Sequence, residues 1–152
     1  MKETIRKCIT NCLPKETVYL GEFLFLMPDT VWEGESGGKR FVAVAEDRWL
    51  YGSSGQFLAV TENGSVYKGD LADCGLFQYC AASFPQFMEI MRVYQAVLEA
   101  RQPPDAGDKE GFRRCEKEEE ALREAITRID STALRDDRTF WSIWAEEIGY
   151  GF

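Results

Sequence analysis

The sequence predicts an α+β fold: a central, mainly antiparallel sheet of five or six strands, with an N-terminal helix and C-terminal helices packed on it. Three observations carry this. Short runs rich in Val, Phe, Tyr and Trp, broken at hairpin spacing, fill the middle of the chain from Val18 to Ser83. Stretches of helical periodicity fill both ends. A length of 152 residues with 45% apolar and 13% aromatic content is enough for one substantial core and too little for two ordinary domains, so residues 1–152 are expected to form one domain.

Taken in order, Ile5, Cys8, Ile9 and Cys12 recur at i, i+3, i+4, i+7, which places them on one face of a short helix that Pro14 stops. The strand runs are VYLGEFLFLM, RFVAVAE, RWLYG, QFLAVT, SVYKG and LFQYCAAS, broken by Pro28-Asp29 and Glu35-Ser36-Gly37-Gly38. The stretch from Trp49 to Asp70 reads as a β-hairpin. Asn63-Gly64 supplies residues tolerant of positive φ, as a tight two-residue turn requires, while Phe57, Ala59 and Thr61 face one side and Leu58 and Val60 the other.

Ser83-Phe84-Pro85-Gln86 fits a capping box: the Ser83 hydroxyl accepts from the third helical N–H, Gln86 reaches back, and Pro85 loses no helical bond in the first turn. The helix it opens carries Phe84, Phe87, Met88, Met91, Tyr94, Val97 and Leu98 as a broad apolar stripe ending near Arg101. Pro103 to Asp108 then reads as an exposed loop. A second helix, from about Phe112 to Ile129, is expected to turn Phe112, Cys115, Leu122, Ile126 and Ile129 inward and to pair Glu119 with Arg123 and Glu124 with Arg128 outside. A last helix, roughly Thr139 to Ile148, presents Phe140, Trp141, Trp144 and Ile148 to the core.

The missing chemistry is as telling. No histidine occurs, which removes the usual general base, the Ser-His-Asp and Cys-His nucleophile systems and the commonest zinc ligand. Cys8-x-x-x-Cys12 lacks a second pair at zinc spacing, and Cys74 and Cys80 read as core, so no metal is expected. Five cysteines, an odd number, argue against a disulfide framework. Gly34 to Gly38 and Gly52 to Gly55 are not followed by Lys-Ser/Thr and read as turns rather than phosphate cradles, so no cofactor is expected. Asp136-Asp137 reads as helix capping and Glu146-Glu147 as a solvated face, because adjacent helical residues do not face each other. No window approaches the roughly 18 apolar residues of a spanning helix, and the N-terminus lacks a signal-like apolar core, so a cytoplasmic protein is expected.

Charge points to partners. With 18 basic and 26 acidic residues, the net charge of −8 argues against nucleic acid or an anionic membrane and favours a basic protein partner, or solubility alone. Between Glu16 and Gly38 there is no lysine or arginine, while Glu16, Glu22, Asp29, Glu33 and Glu35 are acidic. Residues Pro28 to Gly38 are expected to form an acidic loop bearing Trp32. Asp29, Trp32, Glu33 and Glu35 are the candidate partner-binding residues, since an aromatic anchor in a rim of like charge both steers a basic partner and supplies a desolvated contact. The competing reading is a soluble loop with Trp32 tucked into the core; a second acidic candidate is the helix around Glu116 to Glu120.

From about residue 20 to 148, the order of segments resembles the SUKH superfamily, most closely its fourth subfamily of bacterial immunity proteins. The cues are the Phe41 to Ala45 strand, the Tyr51-Gly52 to Gly55 turn before Phe57-Leu58-Ala59-Val60, and the Asn63-Gly64-Ser65-Val66-Tyr67 hairpin return. The Ala82-Ser83-Phe84 to Phe87 step into a helix, and the ending Ile129-Asp130, Ala133-Leu134 and Phe140-Trp141, complete them. The resemblance implies an antiparallel sheet flanked by helices, no catalytic residues, and an antidote that binds and blocks a toxin, often a nuclease or deaminase, delivered between competing bacteria. A regulatory scaffold similar to the yeast cell-wall synthesis regulator is the alternative. An enzyme built on carboxylates alone is a third reading and needs a deep cleft with two convergent Asp or Glu.

Overall fold

The computed structural model describes residues 1–49, 52–73 and 75–152, and of Arg48, Trp49, Gly52 and Ser53 the backbone alone. The Tyr51 end of the expected Tyr51-Gly52 to Gly55 turn, and Cys74, lie outside the described residues. In chain order the elements are α1 (Glu3–Cys12), β1 (Val18–Leu20), β2 (Phe23–Phe25), β3 (Trp32–Ser36), β4 (Lys39–Trp49), β5 (Gly52–Thr61), β6 (Val66–Asp70), β7 (Gly75–Ala81), α2 (Phe84–Ala100), α3 (Lys109–Ile129) and α4 (Phe140–Gly149). The fold is thus the expected α+β arrangement, with helices at both ends of an antiparallel sheet.

That sheet has seven strands in the order β1-β2-β4-β5-β6-β7, and β3 joins through β4. Every pairing is antiparallel. Two departures from the sequence reading set the strand number. The run VYLGEFLFLM is two strands, because Gly21 at φ 59 turns the chain between Leu20 and its partner Phe23. The segment Pro28 to Gly38, expected as a loop, contains β3. Gly37 and Gly38 both have positive φ, 57° and 76°, as a two-residue hairpin turn of the primed kind needs, and Ser36 pairs with Lys39 across it. Two further runs also merge or move. RFVAVAE and the start of RWLYG form the single strand β4, and Gly52 to Gly55, read as a turn, is the beginning of β5.

The β5–β6 hairpin closes with three residues rather than two. The Thr61 N–H donates to Ser65 O at 2.9 Å, leaving Glu62 to Gly64 as the loop with Gly64 at φ 91. The Asn63 side chain accepts from the Thr61 hydroxyl (2.6 Å) and from Ser65 N–H (3.0 Å), which replaces the backbone role given to it by sequence. The alternation holds: Leu58 and Val60 enter the main core, and Phe57 and Ala59 a second cluster on the other face.

The main core lies between one face of the sheet and the helices. Phe23, Phe25, Val42, Val44, Leu58, Val60, Val66 and Cys80 meet Phe84, Phe87 and Met91 of α2, Leu122 and Ile126 of α3, and Phe140, Trp141, Trp144 and Ile148 of α4. A β-bulge between Ala43 and Ala45 lets both Val44 and Ala45 face inward. Ring contacts such as Phe140–Trp144 (4.2 Å) and Phe87–Trp141 (5.4 Å) run through this core.

The caps are specific. Ser83 accepts from Gln86 N–H as expected, but Gln86 does not reach back to the backbone. Its Oε1 accepts from the Ser83 hydroxyl, and its Nε2 donates to Ile129 O at 3.0 Å, fastening the start of α2 to the end of α3. Thr139, not Asp136-Asp137, caps α4; Asp136 contributes its backbone carbonyl, which accepts from the Ser142 hydroxyl at 2.6 Å. In α3 the buried residues are Gly111, Cys115, Leu122 and Ile126, while Phe112, expected inward, is exposed because it sits one position round from Gly111, which packs on Pro104. The Glu119–Arg123 pair forms at 2.7 Å and also reaches α4, where Arg123 donates to Ser142 O. Arg101, its side chain only 4% exposed, donates to Ile148 O and faces Glu118 at 3.8 Å, tying α2, α3 and α4 together.

Candidate partner-binding surface

Pairing along β4 decides where the unbalanced acidic segment lies. Residues 45–47 of β4 pair with β2 and residues 39–43 with β3, so β2 and β3 follow each other along the same side of β4, and β1 adds beyond β2. All of Glu16 to Gly38 therefore runs along one margin of the sheet.

Within that margin the four candidates share a strand and the turn before it, but not a face. Asp29 is exposed in the turn where Thr30 N–H donates to Met27 O. Trp32, Gly34 and Ser36 are registered against Ala43, Phe41 and Lys39, on the face away from the helices; Glu33 and Glu35 are registered against Val42 and Arg40, on the helix-bearing face. Glu33 makes an ion pair with Arg6 of α1, and Arg40 turns to Glu62 at 2.7 Å. The expected aromatic anchor inside an acidic rim is thus divided between two faces by the period-two alternation of a strand, which a loop would not have imposed.

Trp32 is half-buried, its ring edge-on to Phe57 at 5.0 Å and to Phe41 at 5.8 Å. Phe41, Ala43, Phe57 and Ala59 beneath it are completely buried, with Leu76 on their other flank. Two glycines make this possible. Gly34 lies opposite Phe41, and Gly69 opposite Phe57, and a Cβ at either would stand 2.5 Å from the facing ring. The rings lie where side chains are missing, which hides two phenylalanines on a face that carries no helix. The Leu76 N–H donates to Ser36 Oγ at 3.2 Å, so β3 and β7 reach towards each other over this cluster. A cleft of about 430 Å³ opens beside it, lined by residues that include Ser36, Lys39, Thr61, Glu62, Tyr67 and Leu76. Among the described lining residues Glu62 is the one carboxylate, and Arg40 already holds it, so the cleft does not bring together the two acids that carboxylate catalysis requires.

Burial pushes the Cys80 thiol up and, with Cys8 beside it, the Cys12 thiol as well, which suppresses thiolate character. Tyr94 is pushed up to about 12 by burial and by the charges of Glu147 and Glu22. Glu22, in the β1–β2 turn, is raised first by partial burial and then by Asp47, while Lys68, whose ammonium lies 5.7 Å from the Phe23 ring centre, partly offsets this. On α3, Glu116 and Glu120 are exposed, but Glu118 and Glu119 are engaged by Arg101 and Arg123. Arg6 as the partner of Glu33 and the two glycine–phenylalanine pairs escaped sequence reasoning. The second had a signal: once Gly37-Gly38 is read as a hairpin turn, counting outward places Gly34 opposite Phe41.

With this geometry in hand, comparison with known families places the chain first in a class, the immunity proteins, which implies toxin neutralisation and is typically non-enzymatic. More particularly, a family model described as SUKH-4 immunity protein matches residues 13–147, and the chain belongs to that family. No curated protein and no solved structure matches the chain significantly. Among the described residues no helix is long and apolar enough to cross a membrane.

Proposed function

We propose that this protein binds a cognate toxin of the nuclease or deaminase class in the cytoplasm and blocks it sterically and electrostatically, without catalysis and without contacting nucleic acid or membrane itself. The toxin surface it covers is basic, as a nucleic-acid-handling site must be to hold phosphates. The observation that carries this, beyond family membership, is the gathering of Glu16, Glu22, Asp29, Glu33 and Glu35 along one margin of the sheet with no lysine or arginine in the segment. Asp29, Trp32, Glu33 and Glu35 are the proposed contacts, the carboxylates steering the encounter and Trp32 contributing the part of its ring left exposed.

The test begins with the genes flanking this one, where a secreted protein ending in a toxin domain is expected and its absence would favour the regulatory scaffold. Co-expression should restore growth that the toxin domain alone abolishes. With the complex in hand, replacing Asp29 by Asn and Glu33 and Glu35 by Gln should slow association about tenfold at low salt and flatten its salt dependence, leaving the melting temperature nearly unchanged. Unchanged association kinetics would remove this margin from the interface.

A further inference from the structure

We infer that β1 is an open docking edge to which the partner adds a strand of its own, an apolar strand bracketed by Lys or Arg. This rests on the proposed toxin-binding role and adds its mode.

The two ends of the sheet are treated differently. At β7 the connection between α3 and α4 covers the edge: Asp130 Oδ2 accepts from Ala82 N–H at 2.7 Å, Gln78 donates to Arg138 O at 3.0 Å, and Arg135 lies 3.8 Å over the Tyr79 ring. Among the described residues β3 likewise pairs with β4 alone, and its end is reached by β7 where Ser36 Oγ accepts from Leu76 N–H. Among the described residues no strand pairs with the outer side of β1.

Two groups there point outward. In a hairpin with a two-residue turn, the pair flanking the turn exchanges backbone bonds and the next pair does not. Leu20 and Phe23 flank the turn, so Tyr19, opposite Leu24, directs its N–H and C=O away from β2. Its side chain is 56% exposed and that of its neighbour Val18 37%. Sheet edges are ordinarily blunted by brevity, a charge, a proline or a bulge in the strand itself; Val18–Leu20 is short, at three residues, but carries no charge, proline or bulge.

Charge selects the occupant. A second copy pairing antiparallel about Tyr19 would set Glu16 of each chain against Glu22 of the other, like charge opposite like, with a net −8 on both molecules. At Glu22 the charges of Asp47 and Glu147 together outweigh that of Lys68, so added negative charge is disfavoured and a further cation welcome. A foreign strand with basic residues outside an apolar centre satisfies the open backbone groups, covers Val18 and Tyr19, and neutralises Glu16 and Glu22, which is strand addition with electrostatic selection.

The experiment is amide hydrogen exchange on the full chain, free and bound to the toxin domain expected from the flanking genes. The Tyr19 amide, open in the free protein, should slow on the order of 100-fold in the complex, and Tyr19→Pro, which removes the outward donor together with the Tyr ring and breaks no bond to β2, should weaken binding at least about tenfold, by more than Tyr19→Ala, which removes the ring alone. Val18→Lys, a second variant that keeps the backbone free, should weaken it comparably. An unprotected Tyr19 amide in a tight complex, or wild-type affinity in Val18→Lys, overturns strand addition while leaving toxin binding intact. Dimers at micromolar concentration that Tyr19→Pro dissolves would overturn it in favour of a second copy. Failure of the wild-type chain to bind or to protect against the toxin takes down the proposed function and this inference together.

Discussion

Replacing Trp32 with Ala is the most revealing single perturbation, because the indole is both a proposed contact and the cover of the outer aromatic cluster. Removing a fully buried Trp costs about 3–5 kcal/mol. Trp32 is half-buried, which scales that to about 2 kcal/mol, and the loss of its edge-on contacts with Phe57 at 5.0 Å and Phe41 at 5.8 Å adds about 1 kcal/mol. For a chain of this length about 3 kcal/mol corresponds to a fall of roughly 6–12 °C in melting temperature. Circular dichroism followed through the thermal transition reads it, with Trp32→Phe as the control that retains part of the cover. A fall below about 2 °C would show that Phe41 and Phe57 do not depend on the indole and would refute the reasoning. Surface plasmon resonance on the same variant separates the roles: loss of toxin affinity beyond what refolding yield explains marks the exposed part of the ring as contact.

Three other outcomes follow from the same packing. Gly69→Ala places a Cβ 2.5 Å from Cζ of the completely buried Phe57 ring, and should lower stability by about 1–3 kcal/mol; Phe57→Leu in the same chain should recover part of it, measured as a double-mutant cycle in urea. Arg101→Ala leaves the Ile148 carbonyl without its buried donor and Glu118 with Arg114 alone, and should cost about 2 kcal/mol, seen as a lower urea midpoint. Glu22 has a raised carboxyl in the folded chain, so the folded state holds that proton more tightly than the unfolded one; the stability this contributes is present below the ordinary Glu range and is lost as pH rises through the folded value. Glu22→Gln should therefore flatten the fall of melting temperature just above that range and leave the variant slightly the more stable at pH 7, checked by scans from pH 4 to pH 8.

Some of this protein was legible in the chain. Helices with one apolar stripe declare themselves locally, because the residues that make the stripe also set its period; α1, α2 and α4 lie where Ile5 to Cys12, Phe84 to Leu98 and Phe140 to Ile148 placed them. The Phe57 to Thr61 alternation likewise reads directly, since each residue's face follows from its neighbour's. Hairpin placement was less visible. Gly37-Gly38 carried the turn signal, but the charged residues before it masked a strand, and strand identity there comes from pairing with β4 rather than from β3's own composition.

What tertiary structure alone decided is how the acidic segment is used. Its charge was plain in the sequence, but only the shared side of β4 lines those residues along one margin, and only the register of β3 sends Trp32 to one face and Glu33 to the other, towards Arg6. The same holds for Arg101, an unremarkable helix-end residue in sequence that the docking of α3 and α4 buries. The physical reason is range: periodicity and turn preference act over a few residues, whereas edges, ion pairs and the ring-over-glycine contacts join positions that only the folded sheet brings together.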